Sequence, residues 1–185
     1  MANRILSLVQ GFQKGFDPDI HSNRLYQAFA EIANILNSSS SSSADKHFSR
    51  VYSSVAVNIP NAAATAIAFN QTRNQSGGLH SNGSQNTRIT IFRAGLYYIS
   101  AHVQWPAVIL GYRQLQIRLN GAIVLASTSD DSVAAAPNII DQSISTGMYL
   151  SVGDYVEIVA FQNSGAAINI PVAAQYSPEA FVMEN

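Results

Sequence analysis

The chain of 185 residues contains no cysteine and few charged residues. The absence of cysteine excludes disulfide bonds, thiolate metal sites and cysteine nucleophiles. Charged residues make up 11% of the sequence, against roughly 25% in ordinary soluble domains. Ser, Asn, Gln and Thr therefore have to supply most of the polar surface, and stability has to come from packing or from assembly.

The sequence also lacks an excess of either charge and any long apolar run. A formal net charge of −1 provides no field that would attract a nucleic acid. No stretch reaches the length of a membrane span, and Ile5-Leu6-Ser7-Leu8-Val9 is shorter than the apolar region of a signal peptide. We therefore expect no nucleic-acid partner, no membrane insertion, and synthesis in the cytoplasm without general secretion.

An apolar stripe at helical spacing precedes the main part of the chain. It consists of Leu25, Phe29, Ile32 and Leu36. This spacing predicts a helix over residues 17–37 with Asp17-Pro18-Asp19 at its start. Such a short helix is unstable alone in water, so its stripe packs either against the same helix in sister chains or against its own domain.

A run of serines, Ser38 to Ser43, follows the helix. Serine has no apolar side chain to bury, so the run predicts a flexible tether over residues 38–49. Residues 1–16 upstream of the helix form either an anchor that orders on docking or a disordered tail. Residues 50–185 are left as the main domain.

Short alternating runs separated by Gly, Asn, Ser and Pro predict a β sandwich from residue 50 onward. The predicted strands are residues 54–59, 65–70, 88–92, 95–105, 113–119, 122–128, 139–149, 155–163 and 180–184, with a further candidate at 168–171. Asn120-Gly121 between two apolar runs is a strong hairpin signal, because both turn positions require positive φ.

The strand that begins at Arg113 should place Leu115 and Ile117 in the core, because alternate residues share a face. Arg113 has the same parity, so its guanidinium should point toward the packed side and needs an acidic or carbonyl partner. Glu157 and Asp154 are candidates by residue type for a structural ion pair with Arg113 near a subunit contact.

Several motifs in the main domain occur in a characteristic order. They are Gly95-x-Tyr97-x-Ile99-x-Ala101, the segment from Gly111 to Gly121 (GYRQLQIRLNG), Gln142-Ser143-Ile144-Ser145, Leu150-x-x-Gly153-Asp154-Tyr155-Val156-Glu157, Gln162-Asn163-Ser164-Gly165 and Ser177-Pro178-x-x-Phe181. Together they resemble the C1q and tumour-necrosis-factor-like (TNF-like) jelly roll over about residues 50–184. Ile99 and Ala101 replace aromatic residues of the animal proteins, whereas the Gly111–Gly121 segment is similar to the cysteine-free microbial and phage branch.

The resemblance implies an all-β, ten-stranded double-sheet sandwich that assembles as a homotrimer and carries partner recognition on its outer loops. It further implies a bacteriophage virion surface protein, such as a head fibre, a capsid decoration or a tail knob. In this reading the N-terminal segment attaches to a capsid or tail protein, and the jelly roll faces outward toward the host surface. The alternatives are the tip of a spore or cell-surface filament and a carbohydrate-binding module.

The sequence offers little for catalysis. His21, His47, His80 and His102 are scattered without the spacing of metal ligands, and no nucleophile-elbow motif is present. We expect a protein that is not an enzyme and needs no cofactor.

Two polar features are candidate binding sites. The adjacent carboxylates of Asp130 and Asp131 could hold calcium or lie in a solvated turn. The Asn- and Ser-rich loop from Gln71 to Gln85 contains His80, Asn82 and Gln85. Such a loop either binds the hydroxyl groups of a host glycan or merely connects two strands.

Overall fold

The computed structural model describes residues 27–35, 46–108, 110–131, 138–173 and 176–185. The chain divides into one unit that ends at Lys46 and a second, compact unit that spans His47–Asn185. In the first unit, helix α1 covers residues 27–35. Phe29 and Ile32 of the predicted stripe lie on α1 and are 49% and 50% exposed, whereas Leu25 and Leu36 lie outside the described residues.

The second unit is built of strands. In its described part these are β1 (Phe48–Tyr52), β2 (Val57–Ile59), β3 (Thr65–Ala66), β4 (Gln71–Ser76), β5 (Arg88–Thr90), β6 (Gly95–Val108), β7 (Tyr112–Leu119), β8 (Ile123–Asp131), β9 (Asn138–Leu150), β10 (Tyr155–Gln162), β11 (Ile168–Ile170) and β12 (Glu179–Glu184). None of the helical residues described forms a stretch long and apolar enough to cross a membrane.

Ten of these strands form two antiparallel sheets. Sheet I has the order β4-β1-β12-β6-β9, and sheet II has the order β3-β10-β7-β8, with β5 also paired to β10. The remaining two strands, β2 and β11, pair with each other. The ten-stranded double-sheet jelly roll expected from the sequence is therefore confirmed, with one small extra sheet.

The core lies between the inner faces of the two sheets. On β6 the odd-numbered residues Tyr97, Ile99 and Trp105 are fully buried, and on β7 so are Leu115 and Ile117. Complete burial of such a side chain contributes roughly 1.5–3 kcal/mol. The period-two alternation of apolar residues thus correctly predicts which face of β7 points inward.

Turn residues set the register of sheet II. Asn120 and Gly121 have φ values of 52° and 74°, which confirms the predicted β7–β8 hairpin. At the start of β7, Gly111 has a φ of 89°, and a Cβ there would lie 2.7 Å from the Cα of Ser164. Only glycine fits this close approach, which explains the glycine of the Gly111-Tyr112-Arg113 motif.

Two strands of sheet I were not predicted. β1 begins at Phe48, within the range assigned to the tether, so the first strand starts two residues before the expected beginning of the domain. β4 runs from Gln71 to Ser76, within the segment predicted to be a loop. Its sequence, QTRNQS, is polar throughout, since an edge strand buries neither face fully and needs no apolar alternation.

Candidate subunit interface

Sheet I carries large apolar side chains on the face that points away from the core. On β6 the even-numbered residues Leu96 and Tyr98 are 48% and 45% exposed, and on β9 Tyr149 is 66% exposed. Phe181 and Met183 of β12 lie on the same face and are half-buried. A sheet with apolar residues on both faces is built to be covered on both.

A groove crosses the middle of this outer face, with a cavity volume of about 480 Å³. The side chains that define it are Arg50, Tyr98, Ser100, His102, Ser143, Ser145, Glu179 and Phe181. The three serines leave space at the centre because β6 and β9 place small residues side by side, with Ser100 as the Cα partner of Ser145 and His102 as that of Ser143. The groove can therefore accept a side chain from outside.

At one end of the groove, a single carboxylate binds two arginines. The Glu179 side chain, 8% exposed, binds Arg50 through one oxygen and accepts a hydrogen bond from Arg73 Nε at 2.8 Å through the other. The Arg73 guanidinium also lies 4.2 Å from the centre of the Tyr52 ring. These contacts link β1, β4 and β12 across the outer face.

The two arginines keep Glu179 ionised. Burial is the largest single influence and would raise the pKa, but the hydrogen bonds and charges of Arg73 and Arg50 outweigh it. The pKa of Glu179 therefore lies below its ordinary value. At neutral pH this end of the groove holds two guanidinium groups and one carboxylate, with His102 beside them as the Cα partner of Glu179.

A second ion pair links the end of the last strand, β12, to the segment just before β6. Arg93 Nε donates to Glu184 at 2.8 Å, and the backbone N–H of His47 donates to the same carboxylate at 3.2 Å. The hydrogen bond from Arg93 is the main reason why the pKa of Glu184 is lowered. Tyr97, whose hydroxyl donates to the Arg93 carbonyl at 2.8 Å, has a raised pKa, first because of its burial and then because of Glu184.

His80 faces inward rather than toward a ligand. It is 6% exposed, with Nδ1 2.9 Å from the carbonyl oxygen of Arg88 and Nε2 2.8 Å from that of Phe69. Asn82 accepts a hydrogen bond from Thr72 at 2.8 Å, and the Gln85 carbonyl accepts one from the Arg88 N–H at 2.9 Å. His80 thus holds its own loop together and does not face outward, whereas Asn82 and Gln85 are exposed, and a ligand-binding role of the loop stays a prediction.

Arg113 is fully buried, in agreement with its strand parity, but the proposed carboxylate partners bind other residues. Glu157 accepts hydrogen bonds from Arg88 and Thr87, and Asp154 accepts them from Asn120 and Ser151. Arg113 is paired in register with Gln162, five residues along β10 from Glu157, a distance of about 16 Å in a strand. The ion pair predicted for Arg113 with Glu157 or Asp154 is therefore wrong.

Arg113 instead contacts backbone carbonyl groups. Its terminal nitrogens lie 3.4 Å from the carbonyl oxygens of Gly111 and Leu110. Burial lowers the pKa of Arg113, and the charge of Asp130 opposes this effect.

Asp130 and Asp131 lie at the end of β8 and are exposed. They are paired in register with Arg113 and Tyr112, so they belong to a strand rather than to a turn. Within the described ranges, no group of three His, Asp or Glu residues is placed to hold a metal ion.

The outer face of sheet I was not predicted from the sequence to be an interface. The sequence of β6 does contain an indication of it, because Leu96 and Tyr98 make the second face of the strand apolar. The Glu179 network had no comparable signal, because its arginines lie 129 and 106 residues away along the chain.

The topology defines the domain as a TNF-like jelly roll, and solved structures share it. Murine APRIL at pH 5.0 aligns with a TM-score of 0.55 and 15% identity, covering 74% of this chain and 98% of that one. Murine APRIL at pH 8.5 aligns with a TM-score of 0.53 and 14% identity over the same shares. At these identities the similarity concerns the fold alone. No family model and no curated protein matches the sequence.

Proposed function

We propose that this protein is a non-enzymatic, homotrimeric structural protein of a bacteriophage virion surface. The outer face of sheet I supports the assembly most strongly. It combines exposed Leu96, Tyr98 and Tyr149 with a groove that a single copy leaves open. Association of three copies would remove this surface from water, which is the main driving force of obligate assembly.

The attachment and location follow from the order of the segments. In this proposal residues 1–16 attach the trimer to a capsid or tail protein, and the jelly roll projects from the particle toward the host. The similarity of the Gly111–Gly121 segment to the phage branch of jelly rolls supports this arrangement. The placement of His80 inside its own loop leaves host recognition to other surface residues.

Two measurements test the proposal. Sedimentation equilibrium of the full chain should give three times the 19.9 kDa of one chain. Immunogold labelling with an antibody against the jelly roll should mark the surface of virions from the source lysate. Labelling of filaments or cell surfaces without virions would refute the viral location, and a monomer would refute the assembly.

A further inference from the structure

The loop between β4 and β5, residues 77–87, links the edge strand of sheet I to a strand of sheet II. Two of its side chains point into the protein, since Leu79 is 1% exposed and His80 is 6% exposed. Residues 81–85 that follow are all exposed. The loop therefore consists of a short buried part and an exposed tip, and the buried part determines how the tip is held.

The ring of His80 bridges the backbone of two segments. Its Nδ1 lies 2.9 Å from the carbonyl oxygen of Arg88 on β5, and its Nε2 lies 2.8 Å from that of Phe69, two residues before β4. A carbonyl oxygen can only accept a hydrogen bond, so each ring nitrogen needs a proton to bind its partner. A neutral imidazole has one N–H and would turn a lone pair toward the other oxygen. The closed loop therefore favours the positively charged imidazolium.

The charge on this ring would be held without help from a carboxylate. The loop contains no Asp, Glu, Lys or Arg, and neither does the segment that leads from β3 into β4. The charged residues of the flanking strands, Arg73 on β4 and Arg88 on β5, bind Glu179 and Glu157. In the described part of the chain, His80 forms hydrogen bonds with neutral groups only. Burial disfavours a charge, whereas hydrogen bonds to the charged form favour it, so the proton is held by the two carbonyl groups alone.

We propose that His80 is a pH-sensitive latch for the loop of residues 77–87. The protonated ring donates to both carbonyl groups and keeps the loop closed. When the ring loses a proton, one of the two contacts becomes repulsive, and the loop separates from that segment. The closed loop holds a proton that an unfolded chain releases near pH 6.5, so closure weakens as the pH rises above about 6.5. The inference depends neither on the homotrimer nor on the viral location.

Two backbone hydrogen bonds report whether the loop is closed. The Arg88 N–H donates to the Gln85 carbonyl at 2.9 Å, and the Thr90 N–H donates to the Leu79 carbonyl at 2.7 Å. Opening of the loop breaks both bonds and exposes these amides to exchange with solvent. It also releases the exposed tip, so the surface formed by residues 81–85 would have a fixed shape only while the latch is closed.

The protonation state can be measured on the full wild-type chain labelled with ¹⁵N in its histidines. At about pH 6.5, where half of an ordinary histidine population is protonated, nuclear magnetic resonance should show protons on both ring nitrogens of His80. The signals of His80 are identified by their loss in His80→Gln. A His80 ring with one unprotonated nitrogen at this pH would overturn the proposal, whatever the variant does to folding.

Hydrogen exchange tests the opening of the loop. Between about pH 6 and about pH 8.5, the protection of the Arg88 and Thr90 amides, corrected for the intrinsic change in exchange rate, should fall about tenfold or more. His102→Gln removes a histidine outside the loop and should show the same fall. His80→Gln should show none, because an amide side chain does not titrate, and circular dichroism verifies that both variants fold. Unchanged protection in the wild type, or an equal fall in His80→Gln, would overturn the latch.

Discussion

The outer faces of the two sheets differ in how many of their side chains form hydrogen bonds or ion pairs with one another. On sheet II, Gln116 donates to Gln114 and accepts from Arg118 at 2.7 and 2.8 Å. Arg88 stacks 4.1 Å from the Tyr155 ring centre and binds Glu157. On sheet I, Leu96 and Tyr98 are half-exposed around an open groove.

This difference predicts which outer face stays in contact with solvent and which is covered by a partner. The side chains of Gln116, Arg118 and Arg88 on sheet II already have partners, so covering them would cost desolvation. The apolar rings of sheet I gain free energy when they are covered. Both sheets contribute to one core, and the difference between them lies on their outer faces.

The largest effect should come from placing a charge on the apolar face. Tyr98→Lys should raise the trimer dissociation constant by about a hundredfold or more, because an unpaired ammonium would be buried in each contact. Gln114→Lys on sheet II provides the control, and its dissociation constant should change by less than about threefold. Sedimentation equilibrium measures both, and equal effects of the two variants would abolish the distinction between the faces.

Loss of the shared carboxylate should have an intermediate effect. Glu179→Gln removes the carboxylate that Arg50 and Arg73 share on β12, the middle strand of sheet I. We expect a loss of about 1–2 kcal/mol in the free energy of unfolding, a range that takes account of the exposure of both arginines. Urea unfolding at pH 7 measures this loss, and an unchanged midpoint would show that the network contributes nothing to stability.

Glu179, together with Glu184, should also make the stability of the fold depend on pH. The folded-state pKa values of Glu179 and Glu184 are lowered, so their contribution is complete above the unfolded value of about 4.3 and is lost as pH falls through the folded values. The wild type should therefore lose more stability below about pH 4 than Glu179→Gln, which cannot titrate there. Parallel curves for the two proteins would contradict this assignment.

The smallest effect is expected on sheet II. Arg88→Gln removes an ion pair whose arginine side chain is 37% exposed, and exposed pairs contribute about 1 kcal/mol or less. Thermal unfolding should show a small decrease in Tm, and the trimer dissociation constant should stay the same. A weakened trimer would show that sheet II also takes part in subunit contact.

Local patterns predict the centre of this fold better than its edges or its surface groups. β7 follows from strict alternation, because one of its faces packs in the core, and the β7–β8 turn follows from Asn120-Gly121. β4 could not be found in this way, since an edge strand is held by pairing with β1 rather than by its own apolar residues. Local patterns are limited in the same way for Arg113. Its burial follows from its position in the strand's alternation, whereas its neighbours depend on how strands from distant parts of the chain come together.

The candidate interface could be predicted only in part. The apolar outer residues of β6 are visible as a second alternation within one segment. The groove and its charges depend on the register between β1, β6, β9 and β12, which no local pattern contains.

The most direct test of the central claim is the mass of the full wild-type chain at micromolar concentration, measured by light scattering coupled to gel filtration. The account predicts one species with three times the mass of a single chain. A stable single-chain species would mean that the outer face of sheet I remains in water, and it would contradict the account.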